Sequence, residues 1–439
     1  MKRIGLILIL ALLAVPRLTQ AQATKPWTLE ECVEYALTQN IQVRKSVLSN
    51  DRLQYYADQS KAQRFPSVNA SVNQNFNWSK STATGVSGLT GSNGSNYSVN
   101  SGVTIYNGSR ISNSIKQAEL DIEGGKLSLE TTKESISLNI LNAFLQVLYA
   151  EEQVKNTAKQ IESTNEQLNL AQERLSLKII SQADYAQVKS QLASEKLTMA
   201  NAESQLSIAK VNLMQLMELA VTSDFNIAHP NLGENINQNR VANVKSVYET
   251  SLSIKPQIKY AAINKDIAAI DEKIARAGYY PVLSASGGIS SAFTSQSADH
   301  YFDQINNGIH PSVGLSLSIP IYQKKQVKTK IAVAKIGYED AVLTETDTKN
   351  QLRKNIEQAC LDVTSAQIEY EASLEKFQAT QEASSLSDEK FKQGIINSVD
   401  YLVSKTNLIV SESQLLQSKY NLIFSYKVLD FYTGIPLSL

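Results

Sequence analysis

The sequence predicts a mixed α/β membrane protein built as two tandem repeats of helix, strand, strand, long helix and helix. Three observations predict it. A pattern recurs after about 215 residues, short segments alternate apolar with small polar residues, and heptad runs extend well beyond globular helix length.

The repeat is legible in short matches. Arg64-Phe65-Pro66 closes a helical pattern and opens an alternating one, and Tyr279-Tyr280-Pro281 does the same 215 residues later. Ile179 to Tyr185 matches Ile395 to Tyr401 at an offset of 216. The halves are expected at 24–220 and 243–439, joined by an Asn-rich linker at 221–242 that contains His229-Pro230 and Gly233. Ahead of them, Lys2-Arg3, the apolar run Ile4–Val15 and Ala21-Gln22-Ala23 read as a secretory signal peptide over 1–23. The run is shorter than the roughly 20 residues a membrane helix needs.

The first helix is expected from Thr28 to Arg64. Thr28 and Glu31 have capping-box spacing, and Pro66 blocks continuation. Strands are expected at about 67–78 and 97–106, separated by a turn over roughly 79–96, and again at about 282–293 and 312–321. Val68, Ala70, Val72, Phe76 and Trp78 share one face of the first, with Gln74 out of pattern, against Asn69, Ser71, Asn73, Asn75 and Asn77. The alternation suits either a half-buried soluble sheet or a tilted membrane strand. Four strands cannot close a barrel, and lipid tolerates no open edge, so the membrane reading requires several chains to share one barrel.

The stretch Arg110–Leu177 lacks Pro and would make a helix roughly 100 Å long. Ile140, Val147, Val154, Ile161, Leu168 and Leu175 recur every seven residues, which is a coiled-coil seam. Tyr185, Leu192, Met199, Leu206 and Leu213 form another, and Ala202 and Ala209 lie on a second, small-residue line. The series break near Lys178 and Gly394, so hairpin tips are expected at about 177–184 and 393–400.

Composition narrows the function. Lys plus Arg and Asp plus Glu both number 42, which argues against a nucleic-acid partner. Cys32, Cys360 and three scattered histidines make no zinc or disulfide framework, and the two cysteines are expected as buried thiols. No nucleophile elbow, phosphate loop or zinc-protease motif is present, so no enzyme, cofactor or metal is expected.

The combination resembles the TolC family of outer-membrane efflux proteins. Trp27-Thr28-Leu29-Glu30-Glu31 with Ala36-Leu37 and Asn40, the aromatic-Pro strand starts, Ile105-Tyr106-Asn107-Gly108 and the two tips carry the resemblance across the mature chain. It implies a homotrimer whose strands close a twelve-stranded barrel, continued by a periplasmic helical barrel with the linker in a belt around it. Its outer-membrane lipid would meet Phe76, Trp78, Val103, Ile105, Phe293, Leu315 and Leu317. It also implies a Gram-negative outer membrane, and passive export of small molecules or proteins delivered by a periplasmic adaptor and an inner-membrane transporter.

By the same resemblance, adaptor contacts fall on Leu177, Lys178, Ile179, Gly394 and Ile395, and pore or gate roles on Asp184, Asp400, Phe391 and Ile396. Lys178 stands where the family has Gly, and Val403 where one pattern has a second Asp. The entrance-locking Tyr and Arg of that pattern fall on Phe391 and Ile396, so packing of Phe391, Ile395 and Ile396 is the expected closure. Asp184 and Asp400 also stand where Asp caps a helix. The reading from a different class is an exported coiled-coil scaffold or adhesin. It accounts for the heptads and leaves the strand alternation unexplained.

Overall fold

A computed structural model describes residues 26–80, 89–220, 225–230 and 243–438. The expected signal peptide and most of the 221–242 linker lie outside the described residues. The chain divides into two compact units, residues 1–44, 132–254 and 353–439 in one and 45–131 and 255–352 in the other.

The elements run α1 (Leu29–Gln39), α2 (Ile41–Ala62), β1 (Ser67–Lys80), β2 (Leu89–Tyr106), α3 (Arg110–Ser176), α4 (Gln182–Leu216), α5 (Val244–Ile254), α6 (Pro256–Arg276), β3 (Val282–Thr294), α7 (Tyr301–Asn307), β4 (His310–Ser318), α8 (Gln326–Lys392) and α9 (Ser398–Thr433). The long helices α3 and α8 each have 67 residues.

The opening helix is not continuous to Arg64. It breaks at Asn40, whose backbone turns extended at φ −57°, ψ 130°. Asn40 is buried; its Nδ2 donates to the Leu216 carbonyl at 2.8 Å, and its Oδ1 accepts from the Gln42 N–H at 2.9 Å. One side chain thus caps α2 and ties the break to the end of α4. The capping box forms at the start of α1, with Glu31 N–H to Thr28 Oγ1 at 3.2 Å and Thr28 N–H to Glu31 Oε2 at 3.1 Å.

In the first unit, the segment before α1 pairs with the inter-repeat segment. Trp27 N–H donates to the Asn226 carbonyl at 2.9 Å, and Ala228 N–H donates to the Trp27 carbonyl at 2.8 Å. Phe225 and Ile227 are buried there. Ile140, Phe144, Val147, Leu213, Ile356 and Leu422 form the core. Towards the tips the buried seam of α3 is not the expected apolar line. Val154, Ile161, Leu168 and Leu175 are half-buried in the single chain, while Ala150, Thr157, Thr164 and Ala171 are buried. On this line Thr164 reaches Glu195 of α4 through its side chain. Cys32 and Cys360 are buried free thiols, and burial pushes Cys32 up to about 12.

The second unit holds an antiparallel sheet in the order β1-β2-β3-β4. Its second strand starts at Leu89 rather than 97, because the Ser/Gly/Asn stretch pairs with β1 up to Lys80. Cross-strand ladder bonds stabilise a segment whose composition alone reads as turn. The fourth strand spans His310–Ser318, so Ile319 to Ile321 lie beyond it. A seven-residue helix, α7, interrupts the β3–β4 connection. Two chain reversals need left-handed backbone in this unit. At Gly108 (φ +67°) an added Cβ would lie 2.8 Å from Tyr280 Cβ, so both conformation and space require glycine.

Candidate functional site: sheet faces and hairpin tips

Register decides what each face of the sheet presents, because a one-residue slip exchanges the faces. Val72 opposes Tyr97, Ala70 opposes Val99, Val99 opposes Ile289, and Ala285 opposes Leu315. Phe76, Trp78, Val103, Phe293, Leu315 and Leu317 fall on this same face by the period of two. Phe76, Trp78, Leu315 and Leu317 are exposed in the single chain, at 59–74%. Ile105 sits in a bulge between Thr104 and Tyr106, which brings Tyr106 opposite Leu283 and leaves Ile105 without a cross-strand partner. The Trp78 ring lies over Gly91, 3.2 Å from where a Cβ would stand.

The opposite face carries Asn69, Asn100 and Gly288 in one row and Ser71, Ser98 and Ser290 in the next. Ser71 and Ser98 hydroxyls meet at 2.7 Å. The four strands contain no Asp, Glu, Lys or Arg except Lys80 at the end of β1. Beyond β3, α7 packs back on the sheet, with Tyr301 against Phe293 (ring centroids 4.8 Å apart) and Ser291 Oγ donating to the Ile305 carbonyl at 2.7 Å. Among the described residues the outer edges of β1 and β4 have no strand beside them. Among the described residues no helix is long and apolar enough to cross a membrane.

The hairpin tips repeat one construction. Lys178 and Gly394 adopt left-handed backbone, φ +57° and +75°, and Ile179 and Ile395 N–H groups return to the Arg174 and Lys390 carbonyls at 2.9 Å. Lys178 therefore holds a conformation that L-residues adopt at a cost, as glycine does freely. Leu177, Ile179 and Ile395 are exposed at 65–70%, and with Val399 they make apolar tips. Ile396 is half-buried.

The two aspartates sit differently. Asp184 closes a capping box with Ser181, and its other oxygen accepts from Ser398 Oγ at 2.5 Å, so the carboxylate joins the two hairpins. The hydrogen bonds from Ser181 and then Ser398 hold its pKa below the usual carboxylate range. Asp400 is exposed; its N–H donates to the cap Asn397 Oδ1 at 2.9 Å, and among the described residues nothing donates to its carboxylate.

Phe391 stacks on the buried Tyr401 ring, with centroids 4.7 Å apart and planes at 16°. Arg174 lies 5.9 Å from the Phe391 ring centroid and donates to the Phe391 and Lys392 carbonyls at 3.2 and 2.6 Å. One arginine thus caps the C-terminus of α8 from the other hairpin.

Behind the tips lies a cluster that sequence reasoning missed. Thr164 Oγ1 donates to Glu195 Oε2 at 2.5 Å, and Lys405 Nζ donates to Thr164 Oγ1 at 2.5 Å. Lys405 Nζ and Glu195 Oε1 stand 3.8 Å apart, and Gln191 adds a bond to Glu195 at 3.0 Å. Burial lowers the Lys405 pKa, with Glu195 opposing. The available signal in the sequence is Glu195, a charge seven residues before Ala202 on the small-residue line of α4.

Such a chain, with an amphipathic uncharged sheet and two long antiparallel helical hairpins, has the build of an outer-membrane channel protomer. The profile of the family described as outer membrane efflux protein matches residues 32–218 and 247–434. The chain belongs to that family, the TolC-like channels of the Gram-negative outer membrane. Solved relatives share the fold. A membrane protein from Pseudomonas aeruginosa superposes with a TM-score of 0.77 at 16% identity, over 93% of this chain and 90% of that one. The CmeC outer membrane channel of Campylobacter jejuni gives 0.76 at 15%, over 92% and 85%. The open state of the MtrE outer membrane channel of Neisseria gonorrhoeae gives 0.74 at 16%, over 93% and 88%. No curated protein sequence matches the chain. The chain is therefore an outer-membrane efflux channel, and nothing favours the scaffold or adhesin reading.

Proposed function

We propose that the chain works as a homotrimer and forms the passive exit duct of a pump completed by a periplasmic adaptor and an inner-membrane transporter. The single observation that carries this is the sheet. It has one apolar exposed face, one face of Asn, Ser and Gly, and two unpaired edges. In lipid those edges must be paired, and β4 of one copy beside β1 of the next closes the ring without new elements. The apolar face then meets lipid, and the small uncharged face lines water. Residues 1–23 direct export and are removed, the two repeats occupy 24–220 and 243–439, and 221–242 contributes to a belt.

At the periplasmic end, the apolar tips Leu177, Ile179 and Ile395, flanking Lys178 and Gly394, offer the adaptor a surface. Asp400, with its carboxylate unengaged, supplies a ring of negative charge at the entrance. Asp184 contributes less there, since its oxygens hold the cap and Ser398. Phe391 and Ile396 close the entrance by packing, Phe391 through its stack on Tyr401. The adaptor opens the channel by binding the parted tips more tightly than the closed ones.

Imaging of single particles extracted from membranes in detergent tests this reading. A three-fold assembly with a detergent belt around the sheets is expected. A monomer, or an assembly that needs no detergent, would overturn it.

A further inference from the structure

The two hairpins are twins in sequence position, yet they are not equally covered. Adding 216 carries α3 onto α8, the cap Ser181 onto Asn397, and Asp184 onto Asp400. The same shift carries Thr164, Glu195 and Lys189 onto Thr380, Ser411 and Lys405. Within the chain, one hairpin gives Thr164, Glu195 and Asp184, and the other brings Lys405 and Ser398 to them.

Most of the twin residues are less covered, although Ser411, the counterpart of Glu195, is fully buried within the chain. Lys405 is 6% exposed and Ser398 1%, whereas their counterparts Lys189 and Gln182 are exposed. Thr164 is fully buried, whereas Thr380 is half-buried; Asp184 is half-buried, whereas Asp400 is exposed. The left-handed tip residue and its returning N–H are the same at both sites, whereas Ser398 and Lys405 reach one site and, among the described residues, their counterparts Gln182 and Lys189 do not reach the other. The hairpin that would supply Gln182 and Lys189 to the Asp400 and Thr380 side belongs to a second copy of this chain.

We propose that Gln182 and Lys189 of a second copy seat on Asp400 and on the Thr380–Ser411 pair, as Ser398 and Lys405 seat on Asp184 and the Thr164–Glu195 pair within the chain. The seats differ in chemistry. Inside the chain a carboxylate stands 3.8 Å from the ammonium. Between copies two hydroxyls, Thr380 Oγ1 and Ser411 Oγ at 2.6 Å, take its place. The seam between copies therefore holds its lysine without a counter-ion, and it is the seam that parts when the entrance widens.

This inference rests on the trimeric reading, so the size of the detergent-extracted protein is measured first. If it is not a trimer, the proposed function fails rather than the seam. In the trimer, Gln182→Cys/Asp400→Cys is oxidised beside Ser398→Cys/Asp184→Cys and the single substitutions. The side chains at the in-chain site touch, which places cysteines there within reach of a disulfide. The expected result is chain-to-chain linkage for the first pair and linkage within one chain for the second. Linkage of the second pair alone, or of the first within one chain, would overturn the proposal.

Ser411→Glu supplies the missing carboxylate. It should raise the temperature at which the trimer dissociates in SDS and reduce single-channel opening, and Lys189→Met should abolish both gains. Effects of Ser411→Glu that are indifferent to residue 189 would equally overturn the seat.

Discussion

Removing Lys405 should loosen the packing of the two hairpins on one another near residues 195 and 405, and removing Glu195 with it should restore it. In Lys405→Met the Glu195 carboxylate stays buried, with only Thr164 and Gln191 donating to it. Breaking a buried pair from one side costs about 3–5 kcal/mol, and the two remaining donors place this case at the low end, about 3 kcal/mol. Lys405→Met/Glu195→Leu removes both charges; the single Thr164 hydroxyl proton then turns to the Gln160 carbonyl, 2.9 Å away, and the half-buried Gln191 amide turns to water. The double variant should lie within about 1 kcal/mol of the native chain or above it. Hydrogen exchange of the α4 and α9 amides near residues 195 and 405 reads the difference, since about 3 kcal/mol speeds local opening by roughly two orders of magnitude. The reasoning fails if Lys405→Met exchanges within about threefold of the native chain, or if the double variant exchanges as fast as the single.

Neighbouring strand positions should respond oppositely to charge. Leu315→Arg, on the apolar face, should cost about 2–4 kcal/mol near the bilayer midplane and reduce folded protein in the outer membrane, while Ser316→Arg should fold and lower cation conductance. Asp400→Ala should reduce the cation selectivity of single channels; unchanged selectivity would remove it from the pore ring. Lys178→Gly should stabilise the first tip by about 1 kcal/mol, and Gly394→Ala should destabilise the second by about 1–2 kcal/mol from φ alone, since an added Cβ there meets nothing within 4 Å. Melting of the hairpins checks both. Asp184 holds a lowered pKa, so the native tip binds fewer protons than the unfolded chain, whose carboxyl titrates at about 3.9. That contribution is present above this value and lost as pH falls through the native pKa. Acid should loosen the tip, and Asp184→Asn should remove this part of the acid sensitivity, as proteolysis at the tips would show.

Much of this was written in local patterns. The capping box at Thr28 and Glu31 is read from spacing, because its bonds span three residues. The two faces of the sheet follow from alternation, because the strand period is two. The tips were legible because Gly394 and the breaks in the heptads are local. The break at Asn40 was not, since its side chain bonds a carbonyl 176 residues away. Nor was the early start of β2, where pairing with β1 overrides a turn-like composition.

The duplication, the strand faces and the helical hairpins are set by periodicity along the chain. Which residues those hairpins exchange depends on how the helices pack in three dimensions. Arg174 caps α8, Asp184 takes Ser398, and Lys405 enters a site made by Thr164 and Glu195. Their partners lie more than 200 residues away in sequence, and no local rule sets which of several similar side chains on parallel seams comes within a hydrogen bond's length.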